Sequence, residues 1–266
     1  MPEPNEKRAY SPSKLKTYSR CAEQYRRRYV MGDKILPTIV MVAGTGIHRG
    51  AEFNETQKIK SHGDLPAADI VGYSVEAFKA EVAGGGVIEE AQHSGTVLKG
   101  MKDDGIDRTA KLAALYAHEV APRYQPVAVE VPITIDTGEI KLEMVIDTVT
   151  DGDQIRDRKS MGASPPAGFA HNDWQLSANA AGFYATYGRM PSAVILDALV
   201  DLKRPKYVES SSTREISDIQ AVHDRLVEFD RAITAGVFVP TADTKMVCQP
   251  HLCGYYQTCG YVQKTR

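Results

Sequence analysis

The sequence predicts an α/β fold in which a mixed sheet is flanked by helices. Three observations lead there. Runs rich in Val, Ile and Thr cluster at 127–135, 140–149 and 154–159; helix-period segments lie on both sides of them; and a further strand pattern at 193–201 stands between two helices. With 266 residues, 42% hydrophobic and 25% charged, the chain has ordinary globular composition, which excludes the disordered, collagen-like and low-complexity classes. A chain of this length buries roughly 70–75% of the surface its unfolded form exposes, so its core needs neither disulfides nor metal merely to exist. One domain over 1–266 is expected, with a helical insert at 61–125 and a C-terminal cysteine loop at 245–266.

Ser11-Pro12 opens the first helix, with Ser as N-cap and Pro at the first helical position. Leu15, Tyr18, Ala22, Tyr25 and Tyr29 follow at helical spacing, so this helix is expected over 12–30. A second helix is expected from Thr45 to Lys60, with His48 in its first turn. Residues 61–125 carry helical segments at 66–82 and 104–121, separated by Gly84-Gly85-Gly86, which reads as a hinge or lid. The period then changes to two. Asp136-Thr137-Gly138-Glu139 and Thr150-Asp151-Gly152-Asp153 are turn sequences, and they divide the three runs into an antiparallel meander. A helix at 172–188, the strand at 193–201 and a helix at 214–235 with Ile219, Val222, Leu226 and Phe229 on one face complete the order.

Net charge is −2, which argues against coating nucleic acid by bulk electrostatics. The distribution is uneven: residues 1–34 hold nine Lys/Arg against four acids, a basic start that suits local contact with a phosphate backbone or, as the plainer alternative, a solvated helix face. The longest nearly apolar stretch, Ile35 to Ile47, is interrupted by Pro37, Gly44 and Gly46 and is too short to span a bilayer. No apolar signal core stands in MPEPNEKRAYSPSK, so a cytoplasmic protein without a membrane partner is expected.

Four cysteines carry more information. Cys21 stands alone near one end, while Cys248, Cys253 and Cys259 crowd the other in a C-x4-C-x5-C loop. Four thiolates are the usual count for a closed zinc site or an iron–sulfur cluster, and Cys21 would supply the fourth, stapling the two ends together. His251, inside the same loop, reads as an ordinary loop histidine, with replacement of a thiolate in a zinc site as the alternative.

The residues with catalytic chemistry lie on the second hairpin. Asp147 is near the end of one strand, and Asp157 and Lys159 lie on its partner across a tight turn. Period two puts Asp157 and Lys159 on one face, and the hairpin brings Asp147 near it. Two hard oxygen ligands with open positions suit Mg²⁺ or Mn²⁺. Such an ion polarises a phosphodiester and acidifies a water, which the lysine can orient or deprotonate. His48 is an additional ligand candidate. The pattern [DE]-x-K occurs four times, at Glu139, Asp157, Asp201 and Asp243, but only Asp157 follows another strand's Asp by one hairpin turn. Asp201 reads as a solvated strand end. On the hairpin residues alone, a salt-bridged surface hairpin stays open as the alternative.

Taken in order, Ser11-Pro12-Ser13 with Leu15, Tyr18 and Cys21, then Gly44-Thr45-Gly46-Ile47-His48, Val145-Ile146-Asp147, Ile155-Arg156-Asp157-Arg158-Lys159 and Gln175 resemble the PD-(D/E)XK nuclease superfamily. Within it the pattern is most similar to the RecB-like branch with an iron–sulfur staple, which includes CRISPR-associated adaptation exonucleases, AddB-type helicase-nucleases and phage exonucleases. The resemblance covers nearly the whole chain apart from 61–125. It implies a restriction-endonuclease-like mixed sheet, with His48, Asp147, Asp157 and the backbone carbonyl of Arg158 holding Mg²⁺ or Mn²⁺ and Lys159 serving the attacking water. Gln175 matches the glutamine of the family's Q-x-x-x-Y motif, whose tyrosine is Asn179 here, and Glu130 corresponds to an acidic residue on the first strand. Cys21, Cys248, Cys253 and Cys259 would hold a 4Fe-4S cluster, with Zn²⁺ as the alternative because the loop departs from the C-x2-C-x5-C of relatives. The implied function is a metal-dependent DNA exonuclease in phage or bacterial DNA processing and recombination, leaving 5′-phosphates. Its implied partners are DNA with free ends, a recombination or helicase protein and, as in some relatives, further copies of the chain. Two rivals are a non-catalytic DNA-binding module with a zinc staple and an iron–sulfur redox protein.

Overall fold

Ser11 and Pro12 start a helix as their chemistry dictates: the Ser11 hydroxyl accepts the Lys14 N–H at 3.3 Å, and Pro12 fills the first turn. The computed structural model describes residues 8–249 and 252–262, so His251 lies outside the described residues. A short strand that the sequence did not announce, β1 (Arg8–Tyr10), precedes the helix. α1 (Pro12–Arg20) stops at Cys21, whose backbone is extended (φ −163°, ψ 106°), and α2 (Ala22–Tyr25) restarts at once, leading into a π-helical turn at Arg26–Val30. The continuous helix expected over 12–30 is thus broken at the cysteine.

α3 (Ile39–Ser61) begins at Ile39 rather than Thr45, because Thr38 caps it by accepting the Met41 N–H at 3.2 Å and Gly44 and Gly46 are helical instead of breaking the chain. His48 therefore sits in the third turn, not the first. Gly46 and Gly50 serve close packing against α4 (Ala67–Gly85). A Cβ at Gly46 would meet the Ser74 carbonyl oxygen at 2.8 Å, and one at Gly50 would meet the Ser74 Oγ at 1.8 Å. Gly86, at φ +72°, ends α4, so the glycine run closes a helix. α5 (Gly95–Leu115) starts well before the expected 104 and continues through a π-helical turn at Tyr116–Val120.

β2 (Pro126–Asp136), β3 (Ile140–Thr150) and β4 (Gln154–Met161) follow the three expected runs; β2 pairs with β3, and β3 is antiparallel to β4. Next come α6 (Phe169–Asn172), α7 (Trp174–Tyr187), β5 (Ala193–Val200), β6 (Lys206–Ser212), α8 (Ile216–Thr234) and α9 (Thr244–Val247). β5 runs parallel to β4 along its whole length, a pairing that requires a crossover connection, here through α7. β6 is a second unannounced strand: Lys-Tyr-Val-Glu-Ser-Ser-Ser lacks apolar alternation, and it forms by antiparallel pairing at the sheet edge beside the buried β5. The six-stranded mixed sheet has the order β1-β3-β4-β5-β6, with β2 also on β3.

The described residues form two compact units. One is drawn from residues 8–35, 134–144, 220–249 and 252–262, the other from 36–133 and 145–219. In the first, β1 pairs parallel with the start of β3, Tyr10 donates to Asp230 at 2.9 Å, and Tyr18 packs edge-on against Tyr25 and Phe229 at 5.4 and 5.5 Å. In the second, Ile47 and Ala51 of α3 join Ile70, Leu112, Tyr116 and Leu199 in one buried cluster. The 61–125 helices therefore share a core with the sheet rather than standing apart from it. Among the described residues no helix is long and apolar enough to cross a membrane.

Candidate metal and active site

Side chains alternate along β4, and the alternation sorts its residues into two environments. On one side Lys159 Nζ lies 2.6 Å from Asp157 Oδ2, and Gln175 Nε2 donates to Asp157 Oδ1 at 3.1 Å. Gln175 is held at the start of α7, where Asp173 caps the helix by accepting the Leu176 N–H at 3.0 Å. Asn179, one turn further, is buried, and its Nδ2 has no hydrogen-bond partner among the described residues.

β3 brings in Asp147. Its Oδ2 accepts the Arg158 backbone N–H at 2.9 Å and lies 3.5 Å from His48 Nδ1 on α3. Glu130 of β2, at φ +48°, adds a third group: one ligand atom each from His48, Glu130 and Asp147 lie within 4.8 Å of one another. These residues, with Arg49, Glu52 and Lys159, line a cleft of about 670 Å³. Of the positions expected together, His48 and Asp147 meet as one pair and Asp157 and Lys159 as another. Glu130, assigned more weakly by sequence, stands in the compact trio, while Asp157 is turned to Lys159 and Gln175.

The electrostatics are those of a site short of positive charge. Burial, then the neighbouring Asp147, raises the Asp157 carboxyl above its usual range. Burial with Asp147 and Glu52 pushes Glu130 up to about 7. Burial holds His48 below the usual imidazole range against the pull of Asp147, favouring the neutral form that can ligate. Burial also opposes the Lys159 charge, but Asp157, Asp173 and Asp147 outweigh it and keep the amine an ammonium. Two converging carboxylates beside a neutral imidazole fit a hard divalent cation such as Mg²⁺ or Mn²⁺, whose charge would relieve their repulsion.

This has a consequence for stability. In chelator-treated protein Glu130 holds a proton up to about pH 7, whereas its unfolded counterpart loses it near ~4.3. The contribution is therefore present at low pH and lost as pH rises through 7, and Asp157 works in the same direction. His48 has the opposite sign but acts only below about pH 6.5, where the unfolded histidine charges. The melting temperature in EDTA should fall between pH 6.5 and 8, and Mn²⁺ should raise it more at pH 8. A flat or rising profile in EDTA would contradict this electrostatic picture.

On the other side of β4, Arg156 and Arg158 are buried. The Arg158 guanidinium donates to Glu55 Oε1 and, at 3.1 Å, to the Tyr124 hydroxyl, and lies 4.6 Å over the Tyr116 ring. Tyr116, Tyr124 and Thr148 also donate to Glu55, at 2.8, 2.6 and 2.6 Å. Burial opposes charge on Arg158, but Glu55 and the tyrosines hold it cationic. Arg156 grips Asp197 through two bonds of 2.8 and 2.7 Å. Sequence reasoning missed the Glu55 network. A signal existed: Glu55 and Lys58 continue the buried α3 stripe of Ile47 and Ala51, and charge on an apolar stripe demands partners.

The rival [DE]-x-K acids serve other purposes. Asp201 is not a solvated strand end: its side chain is 17% exposed and pairs with Arg108 and, at 2.5 Å, with Lys111. Asp243 caps α9, accepting the Met246 N–H at 3.0 Å. In the other unit, Cys21, Cys248, Cys253 and Cys259 are free thiols, and they lie close enough to affect one another: burial, then Cys21, Cys253 and Cys259, pushes the Cys248 thiol up.

Comparison with known proteins adds independent findings. The crystal structure of a candidate exonuclease from Eubacterium rectale superposes with a TM-score of 0.56 at 14% identity, over 96% of this chain and 89% of that one, a likeness of fold. SSO0001 shares 15% identity over 80% of this chain and 97% of its own, with a TM-score of 0.34 that carries no argument. The curated proteins offer no match. Residues 9–260 match the family model described as the PD-(D/E)XK nuclease superfamily, a span that takes in every candidate site and cysteine position named above. This chain, with its Asp157-x-Lys159 strand beside Asp147, belongs to the PD-(D/E)XK nuclease superfamily.

Proposed function

We propose that the chain is a divalent-metal-dependent deoxyribonuclease that degrades DNA from its ends. The observation that carries this reading is the convergence of His48, Glu130 and Asp147 within 4.8 Å, next to the Asp157–Lys159 pair. His48, Glu130 and Asp147 would hold the ion, with Asp157 and the Arg158 carbonyl as the further ligands that the family resemblance implies. The bound ion would neutralise phosphate charge and lower the pKa of water at the site. Lys159, kept cationic, donates to the attacking water or a phosphate oxygen and stabilises the charge that develops there. Gln175 fixes Asp157, which in turn fixes the ammonium. Water adds to phosphorus, the P–O3′ bond breaks, and a 5′-phosphate and a 3′-hydroxyl result.

Action from ends draws support from the fold likeness to the Eubacterium rectale protein described as a candidate exonuclease. A place in phage or bacterial DNA processing and recombination rests on the RecB-like resemblance. The test is a time course on one plasmid, linear and covalently closed, with Mg²⁺ or Mn²⁺. Loss of the linear form alone is expected. Equal cutting of the closed circle would overturn exonuclease action, and no cutting of either would overturn the nuclease reading.

A structural 4Fe-4S cluster on Cys21, Cys248, Cys253 and Cys259 is the second part of the proposal, supported by the closeness of Cys21 and Cys259 to Cys248 and Cys253, whose thiols burial and these neighbours push up. It would tie the break after α1 to the C-terminal loop without redox chemistry. Protein purified without oxygen should contain iron and sulfide and absorb visible light. Stoichiometric zinc without iron would contradict it.

A further inference from the structure

We infer that Phe53 and Tyr73 form a stacking platform for an unpaired nucleobase of the DNA strand entering the cleft; the inference rests on the nuclease reading and adds the substrate class. The two rings lie parallel, 4.4 Å apart and inclined by 8°, yet the residues remain 38% and 47% exposed. Large aromatic side chains left at the surface as a stacked pair present flat π-faces to solvent, and every base has a π-face to match.

Their surroundings favour a nucleic-acid strand. Phe53 and Tyr73 line a groove of about 810 Å³ with Arg49, Thr56, Gln57 and Lys60. Arg49, Phe53, Thr56 and Lys60 recur at helical spacing on α3; Lys60 and Arg49, the latter paired with the lining Glu52 at 2.7 Å, accompany the rings together with the polar Thr56 and Gln57. The groove shares Arg49 and Glu52 with the cleft that contains His48, Glu130 and Asp147, so the two adjoin. Phe53 lies five residues beyond His48 on the same helix. At ~1.5 Å of rise per residue this is ~7.5 Å along the axis, about two nucleotides of a strand at ~3.4 Å each. A duplex keeps its bases stacked on one another, so the platform selects a single strand or a frayed end.

The experiment uses the full chain in EDTA and a single-stranded oligothymidylate of about 12 nucleotides carrying one 2-aminopurine, against a duplex of equal length. Wild type should alter the 2-aminopurine fluorescence on binding. Phe53→Ala and Tyr73→Ala should each lower the ratio of single-strand to duplex affinity about tenfold and suppress the fluorescence change. Phe53→Leu, which keeps apolar bulk without a π-face, should behave as Phe53→Ala, while Tyr73→Phe should keep the wild-type ratio. An unchanged ratio in both alanine variants, or recovery in Phe53→Leu, would overturn the platform. Linear-DNA cleavage by wild type with an unchanged ratio in the variants defeats this inference alone. No cleavage, with Phe53-dependent strand binding, defeats the nuclease reading and leaves the platform standing.

Discussion

Replacing Asp147 by asparagine should lower cleavage of linear DNA roughly 10³-fold and leave DNA binding within about twofold. The amide keeps the size of the carboxylate, and its oxygen can still accept the Arg158 backbone N–H, so β3 and β4 stay in register. What it removes is the charge that Asp147 presents to the same point as His48 and Glu130. Lys159→Ala should reduce cleavage comparably, because no other side chain in the described cleft places an ammonium 2.6 Å from Asp157. Phosphate contacts are spread over many groups, so affinity should survive both changes. Single-turnover cleavage and filter binding on one substrate separate the effects. Parallel loss of binding and cleavage would assign these residues to DNA contact.

Glu55→Ala should produce the largest loss of stability, about 3–5 kcal/mol. Glu55 is 1% exposed and accepts from Arg158, Tyr116, Tyr124 and Thr148. Its removal strands a buried guanidinium and three hydroxyls at once, and an unpaired buried charge costs far more than a lost surface bridge. Glu55→Gln keeps an acceptor oxygen and should cost less. Urea denaturation reads the difference as a lower midpoint at constant slope. A loss under about 1 kcal/mol for Glu55→Ala would show that the network relaxes around the gap. The network also bears on the candidate site, since Arg158 presents its side chain to Glu55 and its backbone N–H to Asp147. Partial loss of cleavage in Glu55→Gln is therefore expected even where the protein stays folded.

Strong local signals made much of this architecture legible in the sequence. The turns after Asp136 and Thr150 set the β2–β3–β4 order, and Asp157-x-Lys159 stood out among the four [DE]-x-K matches because a second strand's acid lay one hairpin away. What escaped depended on partners distant in sequence. β1 and β6 are short or polar and form only by pairing with β3 and β5. The true start of α3 was hidden because Gly44 and Gly46 read as breakers, whereas Gly46 serves close approach to α4. Glu130 gave little signal on a strand of ordinary alternation; only the sheet reveals that it meets His48 and Asp147. Cys21 was assigned as a ligand, yet its breaking of the helix could not be read from a stripe that continues to Tyr29 in correct period.

The central claim is that His48, Glu130 and Asp147 hold one divalent cation. Titration of Mn²⁺ into the chelator-treated protein, followed by the electron paramagnetic resonance of the free ion, tests it without reference to DNA. Wild type should bind Mn²⁺ at this site, and His48→Ala, Glu130→Gln and Asp147→Asn should each weaken that binding at least tenfold. Unchanged Mn²⁺ affinity in all three variants would contradict the account.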